Sequence, residues 1–311
     1  MTDPRRGWSL ESVAAGLGME LEGLDLIQEN QYCWILRAWS GGEPLIVKQY
    51  KGKDPSLMLT EAAGLEMYRN LVEGDPAWIA AGCLRAAPEH NLIAIEFVPG
   101  ECFSDLVYRG RRDADARRRS LQVMERLGDF LQRLRRETAR PGEALDPWIF
   151  EYLEYTSARL QDIPLFGRML FAHARAEARE LIQDLQAASP VPSAVHGDFV
   201  FRNMHVDGER AGLIDFANTL SHGHVLHDLY NLYFALQNMA LPGSFRMQLW
   251  EAFQRGLGEL EEPDAAHRFF HEWHRRRWLM LKILGRHPKD WLQAARGAAG
   301  FARPWGTRRA G

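Results

Sequence analysis

Apolar and polar residues alternate in short runs through the first third of the chain. Trp34-Ile35-Leu36-Arg37-Ala38-Trp39 is followed by Ser40-Gly41-Gly42-Glu43, then by Pro44-Leu45-Ile46-Val47-Lys48-Gln49-Tyr50. Two strand-like runs around a Gly-Gly turn predict an antiparallel hairpin. From Leu57 to Val72, Leu59, Ala62, Ala63, Leu65, Met67, Tyr68 and Leu71 recur at helical spacing and predict a helix that Gly74-Asp75-Pro76 ends. Asn91 to Val98 reads as a buried strand closed by Pro99-Gly100.

Beyond Phe103 the periodicity becomes helical. Arg117 to Arg136 carries Leu121, Met124, Leu127, Phe130, Leu131 and Leu134 on a charged background, and Ile149 to Leu160 and Leu170 to Ala187 follow the same pattern. Ser189-Pro190-Val191-Pro192-Ser193 is a break. A compact β-like passage from Ala194 to Phe216 follows it, and helices then run to about Arg296. The plan is a strand-rich N-terminal part joined near Pro99 to a helix-rich C-terminal part, with no internal repeat.

The 311 residues suffice for one large domain or two modest ones. Lys plus Arg number 38 against 41 Asp plus Glu, a formal charge of −3 that gives no overall electrostatic case for binding nucleic acid. The three cysteines, Cys33, Cys83 and Cys102, form no CxxC pair and no zinc spacing, so a reducing compartment is expected. No run of 18 apolar residues occurs and the N-terminus lacks a signal-peptide core. A cytoplasmic protein without a transmembrane segment is the expectation.

The informative stretch is Ala194 to Phe216. Asp207-Gly208 is a turn signal between Met204-His205-Val206 and Ala211-Gly212-Leu213-Ile214. If those runs pair antiparallel, Asn203 and Asp215 fall together at the open end of the hairpin. Neighbouring strands lie ~5 Å apart, within reach of one cation for two side chains. Their oxygens suit Mg²⁺, which takes one or two carboxylates and completes its shell with water and phosphate. Asp198, in the loop entering the hairpin, can orient a hydroxyl in the same space and accept its proton.

The arrangement resembles the core of the aminoglycoside phosphotransferase and choline kinase-like family, within the protein kinase-like superfamily. The pattern H-G-D-x-x-x-x-N followed by I-D-[FW] stands here as His196-Gly197-Asp198, Asn203 and Ile214-Asp215-Phe216. Gly197 replaces the Arg of protein kinases, and Ala217 follows Asp215-Phe216 where those have Gly, both pointing to the small-molecule branch. The resemblance implies an α+β, bilobal kinase-like fold. A small β-rich N-lobe (residues 1–98) would hold an antiparallel sheet of five strands and one main helix; a larger helical C-lobe (99–311) would carry the catalytic loop, metal hairpin and acceptor site. It further implies Lys48 on the α/β-phosphates, paired to Glu61 with Glu66 as fallback, and adenine contacts by the backbone around Glu96, Phe97 and Val98. Metal would be held by Asn203 and Asp215, His196 would support the loop, and Asp228, in Gly223-His224-Val225-Leu226-His227-Asp228-Leu229, would brace it.

The implied activity is transfer of the γ-phosphoryl group of ATP or GTP, with Mg²⁺, to a hydroxyl of a small molecule, Asp198 acting as base. Alternatives are a kinase acting on a protein or membrane-associated sugar, and a non-catalytic nucleotide-binding module. Departures from the family pattern are specific. The stretch Ile27-Gln28-Glu29-Asn30-Gln31-Tyr32-Cys33, where a phosphate-covering loop belongs, holds no glycine; Arg135 stands where the family commonly shows His. His222, His224 and His227 crowd one short stretch, read as surface or cleft histidines in preference to a metal cluster. Residues 267–311 hold eleven Lys or Arg against Glu272 and Asp290, a local charge near +9. That bias suggests an anionic partner and argues mildly against a polycationic acceptor.

Overall fold

The expected hairpin lies inside a five-stranded antiparallel sheet. In the computed structural model, which describes residues 9–52, 54–161 and 171–284, its strands are β1 (Gly23–Glu29), β2 (Cys33–Ser40), β3 (Glu43–Tyr50), β4 (Cys83–Ala87) and β5 (Leu92–Glu96), ordered β1-β2-β3-β5-β4. Ser40 pairs with Glu43, so Gly41 and Gly42 make the two-residue turn. Strand alternation then divides β3 between two faces. Leu45 and Val47 enter an apolar cluster with Leu36, Ala38, Ala94 and with Val13 and Leu17 of helix α1 (Leu10–Leu17). Lys48 and Tyr50, of the other parity, face helix α2 (Ser56–Val72). Helix α1 and strands β1 and β4 are elements that the periodicity did not single out.

The chain divides into two units. One comprises the described residues to Thr138 with Ala194–Ser221 and Ala240–Gly258; the other comprises Ala139–Ser193, His222–Met239 and the described residues from Glu259. Besides the sheet, the first unit holds β6 (Glu101–Cys102), α3 (Phe103–Arg109) and the 25-residue α4 (Ala114–Thr138). Strand β7 (Ser193–Val195) leads into the compact β-like passage, with Asp198 in the expected loop before the hairpin. The passage consists of that loop, a 3₁₀ turn at Phe201–Asn203, and the hairpin β8 (Met204–Asp207) and β9 (Arg210–Leu213), with β6 beside β8. Asp207 pairs with Arg210, which makes Gly208-Glu209 the turn. Strand β10 (Leu220–Gly223) follows.

The remaining helices are α5 (Pro147–Gln161), α6 (Ala174–Ala188), α7 (Val225–Asn238), α8 (Gly243–Leu257) and α9 (Asp264–Leu284), of which α8 belongs to the first unit. In the second unit the Trp273 indole on α9 donates to the Ile149 carbonyl of α5 at 3.0 Å. Buried Arg276 donates to Ser157 Oγ and the Ala174 carbonyl at 2.6 Å each, and pairs with Glu177 at 2.9 Å.

These contacts bear on the basic C-terminal segment. Six of its eleven cations, from Arg286 on, lie outside the described residues. Of the rest, Arg268 pairs with Asp184, Arg275 and Arg276 with Glu272, and Arg277 donates to Asn231. The described arginines thus hold their own unit together, and the expectation of an anionic partner there finds no support. No described helix is long and apolar enough to cross a membrane.

Candidate active site

Lys48 is 6% exposed, on the α2 face of β3. Its Nζ lies 2.5 Å from Glu61 Oε1 and 2.8 Å from Asp215 Oδ1, which joins three residues spread over 167 positions of sequence. Glu61 is completely buried. It belongs to the buried stripe Met58, Glu61, Leu65, Tyr68 and Val72, a helical face on which it is the one charged residue, whereas Glu66 faces out. Tyr50, two residues beyond Lys48 on the same strand face, donates its hydroxyl to Glu61 Oε2. Burial works against the Lys48 charge, but the Glu61 and Asp215 carboxylates outweigh it and hold the ammonium above the ordinary lysine range.

The catalytic-loop candidates are held by short-range geometry. The Asp198 carbonyl accepts from the Val200 amide and from Asn203 Nδ2, both at 2.9 Å. Asn203 Nδ2 also reaches Asp198 Oδ2 at 3.0 Å, and Arg202 Nη2 reaches the same oxygen at 2.7 Å. His196 Nδ1 accepts from the Asp198 amide at 3.3 Å, so Nε2 carries the proton and donates to the Ile214 carbonyl at 3.0 Å. The imidazole therefore clips the loop to the chain immediately before Asp215. It also packs on Phe216, with ring centroids 4.5 Å apart.

Gly197 explains the glycine of H-G-D. Its φ is +82°, and a Cβ there would stand 1.9 Å from the Asn218 carbonyl oxygen. Asp215 takes a left-handed conformation (φ 68°, ψ 63°), uncommon for a non-glycine residue though one that Asp enters more readily than most. The turn after it, Phe216–Asn218, packs against α2 at Gly64, where a Cβ would lie 2.7 Å from Phe216 Cβ. Tyr68 of α2 accepts from the Leu213 amide and donates to the Ile79 carbonyl. The helix that carries Glu61 is thereby fixed to the turn that carries Asp215.

The hairpin places Asn203 and Asp215 as the register requires. Met204 pairs with Leu213, and the Ile214 amide donates to the Asn203 carbonyl at 3.0 Å, so the two residues flank the open end of the hairpin. With its nitrogen committed to Asp198, the Asn203 amide has an oxygen to offer. The Asp215 carboxylate, 40% exposed, adds another. Two hard oxygens beside a lysine fit a Mg²⁺ that also binds phosphate.

Not every candidate joins this group. Glu96 ends β5, but its amide donates to the Gly82 carbonyl at 3.0 Å and its carboxylate takes Arg69 and the Gly82 amide. Phe97 lies under the Arg37 guanidinium, and Val98 is buried. Asp228 belongs to the second unit, fully buried on α7 and 3.6 Å from His227 Nδ1. His222 pairs with Glu143 and His224 with Glu262. His224 and His227 are completely buried, not surface or cleft histidines as expected, and among the described residues no three His, Cys, Asp or Glu are placed to hold a metal.

Three contributors escaped the reading of the sequence: Tyr50 on Glu61, Arg202 on Asp198, and Asn30. Asn30 sits in the glycine-free loop, where its Oδ1 accepts from the Tyr32 and Cys33 amides at 2.8 Å each. An Asx turn thus closes the β1–β2 hairpin without glycine.

Residues 34–287, most of the chain and the whole of the Lys48–Asp215 arrangement, match the profile of the phosphotransferase enzyme family. The chain belongs to that family. No curated protein matches it in sequence. Among solved structures it is similar to the amicoumacin kinase hAmiN in complex with AMP-PNP, Ca²⁺ and Ami, at 16% identity over 96% of this chain and 93% of that one, with a TM-score of 0.66. It is also similar to a thermostable mutant of aminoglycoside phosphotransferase APH(4)-Ia in a ternary complex with ADP and hygromycin B (13% identity, 94% and 97% covered, TM-score 0.65). The GDP and kanamycin complex of APH(2")-IIia is a third (13% identity, 93% and 96% covered, TM-score 0.54). At these identities the likeness establishes the kinase-like fold, and this phosphotransferase shares it.

Proposed function

We propose that this phosphotransferase moves the γ-phosphoryl group of ATP or GTP to a hydroxyl of a small molecule, with Asp198 as the base. The observation that carries the proposal is the joining of Lys48, Glu61 and Asp215 next to a hairpin whose open end carries Asn203. Lys48 neutralises the α/β-phosphates, and Glu61, with Tyr50 behind it, keeps the ammonium aimed. Asn203 and Asp215 hold Mg²⁺, which when bound neutralises phosphate charge. Asp198 receives the acceptor hydroxyl, orients it and takes its proton. Most of the acceleration then comes from positioning and charge stabilisation. Residues Glu96 to Val98 remain the candidate for the base of the nucleotide, through backbone groups other than the Glu96 amide.

The neighbouring folds hold antibiotics together with adenine or guanine nucleotides, which supports a small-molecule acceptor and leaves both nucleotides as candidates. Cys33, Cys83 and Cys102 are free thiols, in keeping with a reducing cytoplasm. A non-catalytic nucleotide-binding role is disfavoured, because Lys48, Asp198, Asn203 and Asp215 are all present and a module that only binds nucleotide has no use for a base at Asp198.

The test is thermal stability of wild type and Asp215→Ala with Mg²⁺ plus ATP, GTP or neither. A ligand bound to the folded state alone raises the midpoint. A Mg²⁺-dependent rise in wild type, absent from Asp215→Ala, is the expected result and identifies the preferred nucleotide. Asp198→Asn keeps that rise and loses turnover. An Asp198→Asn variant with strong residual transfer removes Asp198 from the role of base.

A further inference from the structure

The loop between β1 and β2 is fastened from the end of β3 by a residue that the roles above do not use. We propose that Lys51 is a positioning residue for nucleotide binding, holding this loop in one conformation so that it meets the phosphates preformed. The inference rests on the reading of Lys48 and Asp215 as the phosphate and metal site.

Strand register sets the two faces of the loop. Ile35 pairs with Lys48 and Cys33 with Tyr50, so the loop re-enters the sheet beside the tyrosine whose hydroxyl meets Glu61. Lys51 follows Tyr50 and has the opposite parity. Its ammonium stands 4.7 Å over the ring of Trp34, which packs on the apolar cluster of Leu36 and Val47. The fastening therefore lies on the face away from Lys48 and takes up none of the inner face.

Lys51 engages both limbs of the loop. Its Nζ donates to Glu29 Oε1 at 2.8 Å and to the Asn30 carbonyl at 2.6 Å, while its amide donates to the Tyr32 carbonyl at 2.7 Å. Residues before and after the tip thus converge on Lys51. An ion pair between part-exposed side chains contributes little alone. Here the carboxylate is one partner of three, and a carbonyl and an aromatic face hold the same ammonium.

What the loop can offer a phosphate is small. The Asn30 amide donates to the Cys33 carbonyl at 3.0 Å, and the Tyr32 and Cys33 amides donate to Asn30 Oδ1 at 2.8 Å each. Among the described residues, the Gln31 amide is the one tip donor not spent inside the loop. A glycine-rich loop presents several amides and can order around its ligand. A loop with one such donor depends on having it in place, because a site competent for only a fraction of the time binds more weakly by that fraction.

The experiment uses the full chain as wild type, Lys51→Met and Lys51→Arg. Methionine keeps the aliphatic stem and removes every N–H of the side chain, while arginine keeps a cation for Glu29, Asn30 and Trp34. Without nucleotide, hydrogen exchange of the Tyr32 and Cys33 amides should quicken about tenfold in Lys51→Met and stay near wild type in Lys51→Arg. The Kd for Mg²⁺·ATP should rise about tenfold in Lys51→Met, as expected where the competent loop falls to about a tenth of the population. The Kd for adenosine, which has no phosphate, should stay within about twofold, as should kcat for Mg²⁺·ATP hydrolysis with water as acceptor. Unchanged exchange overturns the proposal, since Lys51 then does not hold the loop. So does faster exchange with an unchanged Kd for Mg²⁺·ATP, or equal weakening of adenosine and Mg²⁺·ATP. Failure of the underlying reading looks different: wild type then binds no Mg²⁺·ATP although its loop amides are protected, and the inference falls with the reading.

Discussion

Lys48 and Glu61 stand thirteen residues apart and meet at 2.5 Å with neither side chain more than 7% exposed. Such a pair is a net gain in stability only where further hydrogen bonds satisfy it. Tyr50 and Asp215 provide them, one to each partner. The pair is thus held by its surroundings, with one buried ammonium fixed between two carboxylates.

Removing one partner should be far worse than removing both. Lys48→Met leaves Glu61 buried against an alkyl chain and should cost about 3–5 kcal/mol in urea unfolding. Lys48→Met combined with Glu61→Leu should recover most of that loss, while both variants lose the nucleotide-dependent rise in thermal midpoint. A double variant no more stable than Lys48→Met alone would mean that the pair itself carries the stability.

Gly197 is a backbone requirement. Alanine there meets both the left-handed φ and the Asn218 carbonyl at 1.9 Å, so the loop must shift. Gly197→Ala should lower stability by about 1–3 kcal/mol and turnover by a larger factor than nucleotide affinity, because the displaced residue is the neighbour of Asp198. Denaturation midpoints and a kcat against KM comparison decide it. Equal loss of both parameters would place the strain on the nucleotide side.

Much of this was legible in the sequence, and the reasons differ by residue. The Asn203–Asp215 juxtaposition follows from a turn signal and the period of a β-hairpin, both local. Glu61 was preferred to Glu66 only through the family resemblance; the buried stripe it shares with Met58, Leu65, Tyr68 and Val72 is a finding of the structure. Tyr50 has the parity of Lys48 on β3, a signal present and unused. Arg202 left no such trace, since its partner is set by a loop conformation that no periodicity encodes. Strands β1 and β4 were missed because their burial is irregular: most of β1 is exposed or half-exposed, and four of five residues in β4 are not buried.

Asn30 does the work expected of a glycine in the β1–β2 loop. Its carboxamide accepts from two successive amides, and without it those amides turn to solvent. Asn30→Ala should cost about 1 kcal/mol in stability and raise the KM for nucleotide several-fold, with kcat nearly unchanged. An unaltered KM would separate this loop from phosphate covering.

The last prediction concerns acid. His274 on α9 is completely buried, and burial holds its imidazole well below the ordinary histidine range, with His227, Arg277 and His271 adding repulsion to the charged form. The His227 ring lies 4.8 Å away, and the unfolded chain is free of all these constraints. Below about pH 6.5 the unfolded state takes up a proton that the folded state refuses, so unfolding is favoured as pH falls. The slope is at most about 1.4 kcal/mol per pH unit for one such group. Stability measured by urea between about pH 6.5 and 5, above the usual carboxylate range, should therefore decline, and His274→Leu should flatten the curve there by about one proton. A curve equally steep in His274→Leu would assign the uptake to another group.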